Sequence, residues 1–296
     1  MMDDERIKAR AIALYDRFTH GAQDRRSFMA SMTRLMGSAA AARMTVAAIA
    51  ASPAAAAMIA EDDKRLNMKD HVAWIGANGR LLHGYMAIPK KHRKKKPAAV
   101  LVIHENRGLQ PYIRDVARRL AVEGFVALAI DYLSPHGGTP ADEDKARTMI
   151  AALDLPVAVA NGVATIHWLS KQPLLNGKVG VVGFCWGGAM ANRLAVAAGP
   201  ELAAASVFYG PTPPPSDAAR VRAAMALHYA GTDDRVNAGA DAWTQALKAA
   251  NVNVARYDYP GTQHAFHNDT SAARYDAAAA ALAWDRTIAL LKEKLA

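Results

Sequence analysis

From residue 98 to the end of the chain, short apolar runs alternate with longer stretches of helical periodicity. The runs are rich in Val, Ile and Ala, as is typical of strands that are buried on both faces of a sheet. The predicted strands are 98–103, 125–130, 179–182, 204–209, 225–230 and 254–259. The predicted helices are 113–123, 142–152, 156–170, 187–198, 238–250 and 272–295. This alternation predicts an α/β protein whose sheet is mostly parallel and has helices on both faces.

Two further strand-like runs, 72–77 and 80–88, precede this region and flank Asn78-Gly79. Asn-Gly between two such runs is the strongest short-range indication of a hairpin. We therefore expect a pair of antiparallel strands at one edge of the sheet.

The first 57 residues follow a different order, in which a charged segment leads to Asp24-Arg25-Arg26-Ser27-Phe28-Met29 and an Ala-rich stretch ends in Ala55-Ala56-Ala57. Paired arginines followed by x-Phe-Met resemble a twin-arginine signal, and small residues at 55–57 suit a signal peptidase. We therefore predict a leader at 1–57, a folded domain at 58–296, the twin-arginine export machinery as a partner and a periplasmic or exported protein. The alternative is an N-terminal helix with a surface arginine pair and an Ala-rich linker, and the protein is then cytoplasmic.

The composition favours a globular protein. Hydrophobic residues make up 52% of the 296 residues and charged residues 21%, which supports a sizeable core and excludes a wholly disordered chain. The single cysteine, Cys185, excludes an internal disulfide framework and a Cys-rich zinc site. No apolar run reaches about 18 residues, so a stable membrane span is not expected.

The chain is basic, with 36 Lys and Arg against 27 Asp and Glu and a net charge of +9. The densest basic run is 90–96, which we interpret as a solvated loop. It lacks interleaved aromatic residues, so nucleic acid is not an expected partner. The alternative is a module that binds anions or nucleic acid through this run, which predicts salt-sensitive binding.

The strongest candidate chemistry is Gly183-Phe184-Cys185-Trp186-Gly187, at a predicted strand-to-helix junction. The pattern G-x-C-x-G is the thiol form of the nucleophile elbow, a tight turn in which neighbouring side chains would collide. A helix N-terminus beyond the turn favours a thiolate and offers backbone N–H groups to an oxyanion. The alternative is an inert buried cysteine at a tight junction.

A nucleophilic thiol needs a base, and the base needs a group that orients it. Asp233 and Asp234 directly follow the predicted strand 225–230, and His264 follows the strand 254–259. The chain order nucleophile, acid, histidine is that of an α/β-hydrolase. We therefore predict a triad of Cys185, His264 and either Asp233 or Asp234.

The loop after the first predicted parallel strand carries His104, Glu105, Asn106 and Arg107. In an α/β-hydrolase this loop supplies the second oxyanion donor, so we predict the backbone N–H groups of Asn106 and Trp186 as the pair. Glu105 is expected close to the nucleophile. A metal site built from His104, Glu105, His264 and His267 matches no established zinc spacing, so neither a metal nor a cofactor is expected.

The sequence resembles the dienelactone hydrolase family (carboxymethylenebutenolidase), and in particular its exported twin-arginine branch. The resemblance covers roughly residues 70–295. It is carried by residues 104–109 (HENRGL), 176–188 (NGKVGVVGFCWGG), 208–210 (FYG), 230–233 (AGTD) and 259–266 (YPGTQHAF).

This resemblance implies an α/β-hydrolase fold, a triad of Cys185, His264 and Asp233, and a role for Glu105 in activating the thiol when substrate binds. It also implies that Tyr209 contacts the substrate. Family members carry an arginine that helps to hold the substrate carboxylate four residues after the catalytic histidine, where this chain has Asn268. Arg107 or His267 is then expected to compensate, together with Asn268, in binding the substrate.

These features predict hydrolysis of a small lactone or carboxylic ester through an acyl-thioester intermediate. One alternative is another esterase or thioesterase activity on the same triad. The other is a protein that keeps the fold and binds a ligand without catalysis.

Overall fold

The computed structural model of the chain describes Ile7, Arg10, Ala11, Leu14, Tyr15 and Phe18 and then residues 24–50, 59–90 and 96–296. These residues contain one eight-stranded sheet. Its strands are β1 (Leu66–Ile75), β2 (Leu81–Pro89), β3 (Ala99–Ile103), β4 (Val126–Asp131), β5 (Val179–Phe184), β6 (Ala204–Phe208), β7 (Ala224–Ala230) and β8 (Val254–Tyr259). Their order across the sheet is β1-β2-β4-β3-β5-β6-β7-β8.

The first two strands form the predicted hairpin at the edge of the sheet. β1 and β2 are antiparallel, β2 joins β4 in the antiparallel sense, and β3 to β8 are parallel. Gly79 in the turn has a φ of 74°, which a glycine adopts at little cost. β1 begins at Leu66, whereas the sequence predicted a start at residue 72. The prediction missed the first part of the strand because a register shift between Lys69 and Val72 interrupts the apolar–polar alternation on which it depends.

Helices cover both faces of the sheet, as predicted. In the described residues they are α1 (Arg25–Met36), α2 (Ala39–Ala50), α3 (Pro111–Val122), α4 (Glu143–Ala151), α5 (Leu155–Ser170), α6 (Trp186–Ala197), α7 (Asp234–Asn237), α8 (Ala240–Ala249) and α9 (Ala277–Leu295). One core layer packs α5, α6 and α8 on the sheet, and the other packs α3 and α9. Within β3, Leu101 and Ile103 face the first layer, and Val100 and Val102 face the second.

The last helix begins later than its apolar pattern suggests. α9 begins after Asp276, whose side chain accepts a hydrogen bond from the backbone N–H of Ala279 at 2.9 Å. The backbone N–H of Asp276 donates to the carbonyl oxygen of Phe266, which keeps the preceding residues in a loop beside residues 264–268. Because of this N-cap the helix starts at Ala277 and not, as the sequence predicted, at residue 272.

Part of the predicted leader packs as a small unit. Asp24 caps α1 by accepting from the backbone N–H of Ser27 at 3.0 Å, and Gly37 ends it with a φ of 77°. A separate apolar cluster joins the described residues Ala11, Tyr15, Phe18, Phe28, Met32 and Ala42. The predicted cleavage site at Ala55–Ala57 and residues 91–95 of the basic run lie outside the described residues.

Within the described ranges, no single helix combines the length and hydropathy of a membrane span. Only the pair α4 and α5, which is bent by 99° at its break, meets that test jointly by length and composition.

Candidate active site

The candidate nucleophile Cys185 lies between the end of β5 and the first residue of α6. Its φ is 55°, in the region that side-chain-bearing residues rarely adopt, and the residue is 3% exposed. A Cβ on Gly183 would overlap the carbonyl of Gly187, and a Cβ on Gly187 would lie 2.5 Å from the carbonyl oxygen of His104. Both glycines of the motif are therefore required by the close approach of backbone around this strained turn.

The loops after β7 and β8 bring the other two candidate triad residues together. The backbone N–H of Thr232 donates to the carbonyl oxygen of Thr262 at 3.0 Å, and the Thr232 hydroxyl donates to the same oxygen at 2.8 Å. Across this junction, Asp233 and the Nδ1 of His264 form a hydrogen bond. Asp234 is exposed at the start of α7, so the geometry selects Asp233 from the two aspartates that the sequence left open.

The electrostatics of this pair favour a protonated histidine. Burial by itself lowers the pKa of His264, but its electrostatic interaction and hydrogen bond with Cys185 and its hydrogen bond with Asp233 raise it to about 10. Burial raises the pKa of Asp233, but the hydrogen bond and charge of His264 outweigh burial and lower it. Cys185, His264 and Asp233 thus form one interacting line of thiol, imidazole and carboxylate.

The two candidate oxyanion donors come from adjoining segments. Trp186 is the first residue of α6, where a backbone N–H has no partner within the helix. The absence of a side chain at Gly187 lets this first turn lie directly against the end of β3. The ring of Trp186 stacks on His104 at 5.5 Å, which places the turn beside the loop that carries Asn106.

Glu105 is held from two sides. The side-chain nitrogen of Asn268 donates to its Oε2 at 2.8 Å, and the hydroxyl of Tyr209 lies 3.4 Å from its Oε1. Tyr209 also lies beside the candidate base, with 5.1 Å between its ring centre and that of His264. Glu105 is therefore tied both to the β6 loop and to the loop that follows His264.

The carboxamide of Asn268 makes hydrogen bonds at both its oxygen and its nitrogen. Its Oδ1 accepts from the backbone N–H of Thr270 at 3.0 Å and from the Thr270 hydroxyl at 2.6 Å, while its nitrogen holds Glu105. Both ends of the Asn268 side chain are therefore engaged within the protein, one of them by Glu105, and contact of Asn268 with substrate stays a prediction.

His267 is buried among aromatic side chains. Its Nδ1 hydrogen-bonds the hydroxyl of Tyr112 at 2.6 Å, and its ring packs against Phe184, Phe208 and Trp284. Burial and nearby positive charge lower the pKa of His267 to about 3. A neutral imidazole enclosed by aromatic rings contributes to packing, and contact of His267 with a substrate carboxylate stays a prediction.

Tyr112 is a member of the site that sequence reasoning missed. It lies on α3, its hydroxyl hydrogen-bonds the Nδ1 of His267, and it interacts electrostatically with Tyr209, the tyrosine beside Glu105. Burial raises the pKa of both tyrosines well above the ordinary value. In the sequence, a tyrosine at an apolar position of an amphipathic helix gives no sign of this role.

Arg107 is engaged by two partners that the sequence did not indicate. Its guanidinium forms an ion pair with Glu143 of α4 and a hydrogen bond with the hydroxyl of Tyr15. Burial lowers the pKa of Arg107, but the charges of Tyr15 and Glu143 outweigh it and raise the pKa above the ordinary value. The predicted substrate-binding arginine is thus partly buried and already paired.

His104 is fixed by backbone groups instead of facing the triad. Its Nδ1 donates to the carbonyl oxygen of Glu105 at 2.6 Å, and its Nε2 accepts from the backbone N–H of Tyr132 at 3.3 Å. Among the residues that the structure describes, no group of three His, Cys, Asp or Glu is arranged to hold a metal ion.

The sequence of this chain is similar to those of known proteins. A family model described as "Dienelactone hydrolase family" matches residues 82–295. A protein of Escherichia coli (strain K12) named "Putative carboxymethylenebutenolidase" is 31% identical over 234 residues, which cover 74% of this chain and 85% of that protein. Protein usf of Aquifex pyrophilus is 34% identical over 227 residues, which cover 74% of this chain and 96% of that protein.

The fold is also similar to the folds of solved structures. The crystal structure of a dienelactone hydrolase-like promiscuous phosphotriesterase from metagenomic libraries superimposes with a TM-score of 0.67 at 25% identity. The match covers 78% of this chain and all of that one. The mostly parallel sheet, its antiparallel edge hairpin and the strand–turn–helix at Cys185 are those of an α/β-hydrolase fold, as predicted.

Proposed function

The chain belongs to the dienelactone hydrolase family, and we propose that it hydrolyses a small carboxylic ester or lactone with Cys185 as the nucleophile. The observation that carries this proposal is the alignment of Cys185, His264 and Asp233 at the end of three parallel strands. That arrangement provides a nucleophile, a base and a group that orients the base, which is the minimum for acyl transfer.

In the first half of the reaction, His264 takes the proton of the Cys185 thiol, and the thiolate sulfur attacks the substrate carbonyl carbon. The backbone N–H groups of Asn106 and Trp186 donate to the oxyanion of the tetrahedral intermediate. The carbon–oxygen bond to the leaving group then breaks, and His264 gives its proton to that oxygen. The products are an acyl thioester on Cys185 and a free alcohol, or the opened hydroxyl end of a lactone.

In the second half, His264 removes a proton from a water molecule that attacks the thioester carbonyl. The same two N–H groups hold the second oxyanion, and the carbon–sulfur bond breaks to release the carboxylic acid. Asp233 keeps the imidazole oriented through Nδ1 and stabilises its charged form throughout. A thiol nucleophile suits activated esters. With a poor leaving group, the tetrahedral intermediate would expel the thiolate faster than the alkoxide, and the substrate would be regenerated.

We propose that Glu105 assists the thiol when substrate binds. Its contacts with Asn268 and Tyr209 hold the carboxylate close to the thiol–imidazole pair. A carboxylate so placed can accept the thiol proton or stabilise the imidazolium, and its orientation depends on Asn268.

The same residues could serve other substrates. Hydrolysis of a thioester or an aryl ester needs only the same triad and oxyanion donors. Hydrolysis of a phosphotriester is a further candidate activity, because one structural relative is described as a phosphotriesterase. A non-catalytic binding protein is the remaining alternative, and it predicts a slowly alkylated Cys185 with no dependence of reactivity on pH.

The experiment is a panel of dienelactone, aryl ester, thioester and phosphotriester substrates, assayed on the full chain and on Cys185→Ala and His264→Ala. Cys185→Ala and His264→Ala are expected to abolish turnover of whichever substrate the native protein accepts. Full activity in Cys185→Ala refutes the proposed nucleophile. A folded native protein with a reduced thiol and no turnover of any substrate favours the binding protein.

We further propose that residues 1–57 are a twin-arginine leader and that the domain at 58–296 acts in the periplasm. Arg26 is exposed at the start of α1, where an export receptor has access to it. Cell fractionation of the native chain and of an Arg25→Lys, Arg26→Lys variant tests this. The native protein is expected in the periplasm with a shortened N-terminus and the variant in the cytoplasm at full length; two full-length cytoplasmic proteins contradict the proposal.

A further inference from the structure

The N-terminal cluster is built around three aromatic rings. Phe18 and Phe28 are stacked with 4.4 Å between ring centres, and Tyr15 meets Phe28 edge-on at 6.2 Å. Tyr15 and Phe18 are 3% and 5% exposed. Such burial requires a partner surface beyond the cluster, and the catalytic domain supplies it.

Three arginines of the catalytic domain make the contact. Arg107 hydrogen-bonds the hydroxyl of Tyr15 and lies over its ring at 5.6 Å, while Arg274 lies over the same ring at 5.7 Å. Arg147 lies over the ring of Phe18 at 4.3 Å and donates to its carbonyl oxygen at 3.2 Å. Cation–π contacts of this kind are attractive, so together they make a specific docking surface.

Two of these arginines lie on loops of the candidate site. Arg107 is on the loop that carries Glu105 and Asn106, and Arg274 is on the loop between Asn268 and α9. Ala273, next to Arg274, packs against the same aromatic cluster. The N-terminal segment therefore bridges the two loops that hold Glu105.

The docked segment also engages the guanidinium of Arg107. This group forms an ion pair with Glu143 and a hydrogen bond with the hydroxyl of Tyr15, and the Arg107 side chain is 17% exposed. Without Tyr15, one side of this guanidinium would face the rim and could hold a negatively charged ligand group. Docking of the N-terminal segment would thus determine whether the guanidinium of Arg107 can bind a ligand.

We propose that residues Tyr15 and Phe18 dock the N-terminal segment as an intramolecular cover on the rim of the active site, and that Tyr15 withholds Arg107 from anionic ligands until the segment is displaced. Loss of the proposed leader on export is one means of displacement. The inference rests on the proposed function only for the identity of the ligand that the uncovered site accepts.

Alkylation of Cys185 tests the cover without any need for turnover. Because the chain has a single cysteine, the rate of alkylation reports on that thiol alone. Iodoacetamide and iodoacetate have similar size and differ in charge, so the ratio of their rates measures the preference of the site for an anion. Both rates are measured on the full-length chain and on a Tyr15→Ala, Phe18→Ala variant.

The double variant is expected to raise the iodoacetate rate roughly tenfold, because a freed cation beside the site raises the local concentration of an anion. The iodoacetamide rate is expected to rise less, so that the rate ratio shifts toward the anion. Adding Arg107→Gln to the double variant is expected to return the ratio to the native value. Met44→Ala, at a 69% exposed position of α2 in the same segment, serves as the matched control and is expected to change neither rate.

Tyr15→Phe separates the hydroxyl from the docking rings. It keeps the ring contacts, so the fold of the segment is retained, and it is expected to raise the iodoacetate rate alone. Unchanged rates in both Tyr15 variants overturn the cover, and equal increases for the two reagents overturn the role of Arg107. A native protein that hydrolyses no ester and still shows the expected alkylation pattern refutes the proposed function and leaves the cover standing.

Discussion

The side-chain nitrogen of Asn268 donates a hydrogen bond of 2.8 Å to Oε2 of Glu105. The resemblance to the dienelactone hydrolase family leads one to expect an arginine at this position, which would hold a substrate carboxylate. In this chain the side chain at this position instead holds the carboxylate of Glu105, which we propose assists the thiol. The site is thereby altered in two respects, since it loses one anion-binding group and gains an anchor for Glu105.

Replacing Asn268 by Ala is expected to lower kcat about tenfold with little change in KM. A hydrogen bond to a charged group is worth about 1.5–3 kcal/mol, and the loss falls on the step in which Glu105 assists the thiol. Steady-state kinetics on a neutral aryl ester checks this. Asn268→Asp is the companion variant and is expected to lose more, because a second carboxylate would repel Glu105. An unchanged kcat in both variants would show that Glu105 needs no anchor.

Asp233 and Asp234 form a natural pair of test and control. Asp233→Asn is expected to reduce kcat on the order of a thousandfold, because the amide no longer favours the tautomer and charge that His264 needs. Asp234→Asn is expected to keep native activity, since that side chain is exposed at the start of α7. Equal kinetics for the two variants would contradict the orientation that we assign to Asp233.

A methyl group at Gly187 is expected to abolish activity and lower the melting temperature. A Cβ there would lie 2.5 Å from the carbonyl oxygen of His104, so the first turn of α6 must shift away from β3 and carry Trp186 with it. Gly79→Ala is the control, because its Cβ would meet nothing within 4 Å and only its φ of 74° is strained. That variant is expected to lose about 1 kcal/mol of stability and to keep its activity. Thermal melts and ester kinetics together decide the matter, and a fully active Gly187→Ala would refute the steric argument.

The elements of the fold follow closely from the sequence, and the contacts between distant loops do not. Val100 and Leu101 are apolar neighbours that face opposite layers, and such continuous runs mark a buried parallel strand without any knowledge of its partners. The elbow at Cys185 is likewise visible, because its glycines are a local steric requirement. By contrast, the contact of Asn268 with Glu105 spans 163 residues of chain and depends on how two loops meet.

The same distinction explains why the sequence did not reveal the contacts of His267 and Tyr15. His267 is next to Phe266 in a motif that points to a site, but the chain turns its ring into the aromatic core against Phe184. Tyr15 lies in a segment whose composition is that of a leader, and composition carries no sign of its contact with Arg107. Tertiary packing, which is not encoded in any short window, determines both placements.

Stability is expected to fall as the pH drops from about 6.5 toward 3. Burial holds the pKa values of His228 and His267 at about 3 in the folded chain, below the ordinary value of 6.5. The unfolded chain therefore binds protons in this range that the folded chain does not, so the stability that the neutral rings contribute is present above pH 6.5 and is lost on acidification. Urea unfolding at several pH values measures the slope.

His267→Gln is expected to flatten that acid slope and to lower the stability at neutral pH, because the amide does not titrate but loses the aromatic packing. His136→Gln, at an exposed position, is the matched control. A slope that is identical in the native protein and in His267→Gln would show that this ring is not the group that protonates on unfolding.

The central claim is that acyl transfer passes through the sulfur of Cys185, and rapid quench followed by intact-protein mass spectrometry tests it directly. The full-length protein is mixed with an activated aryl ester and quenched in acid within the first turnover. The account predicts a mass increase equal to one acyl group, located on the peptide that contains Cys185 and absent in Cys185→Ala. Turnover that persists in Cys185→Ala, with no acyl adduct on the native protein at any quench time, would contradict it.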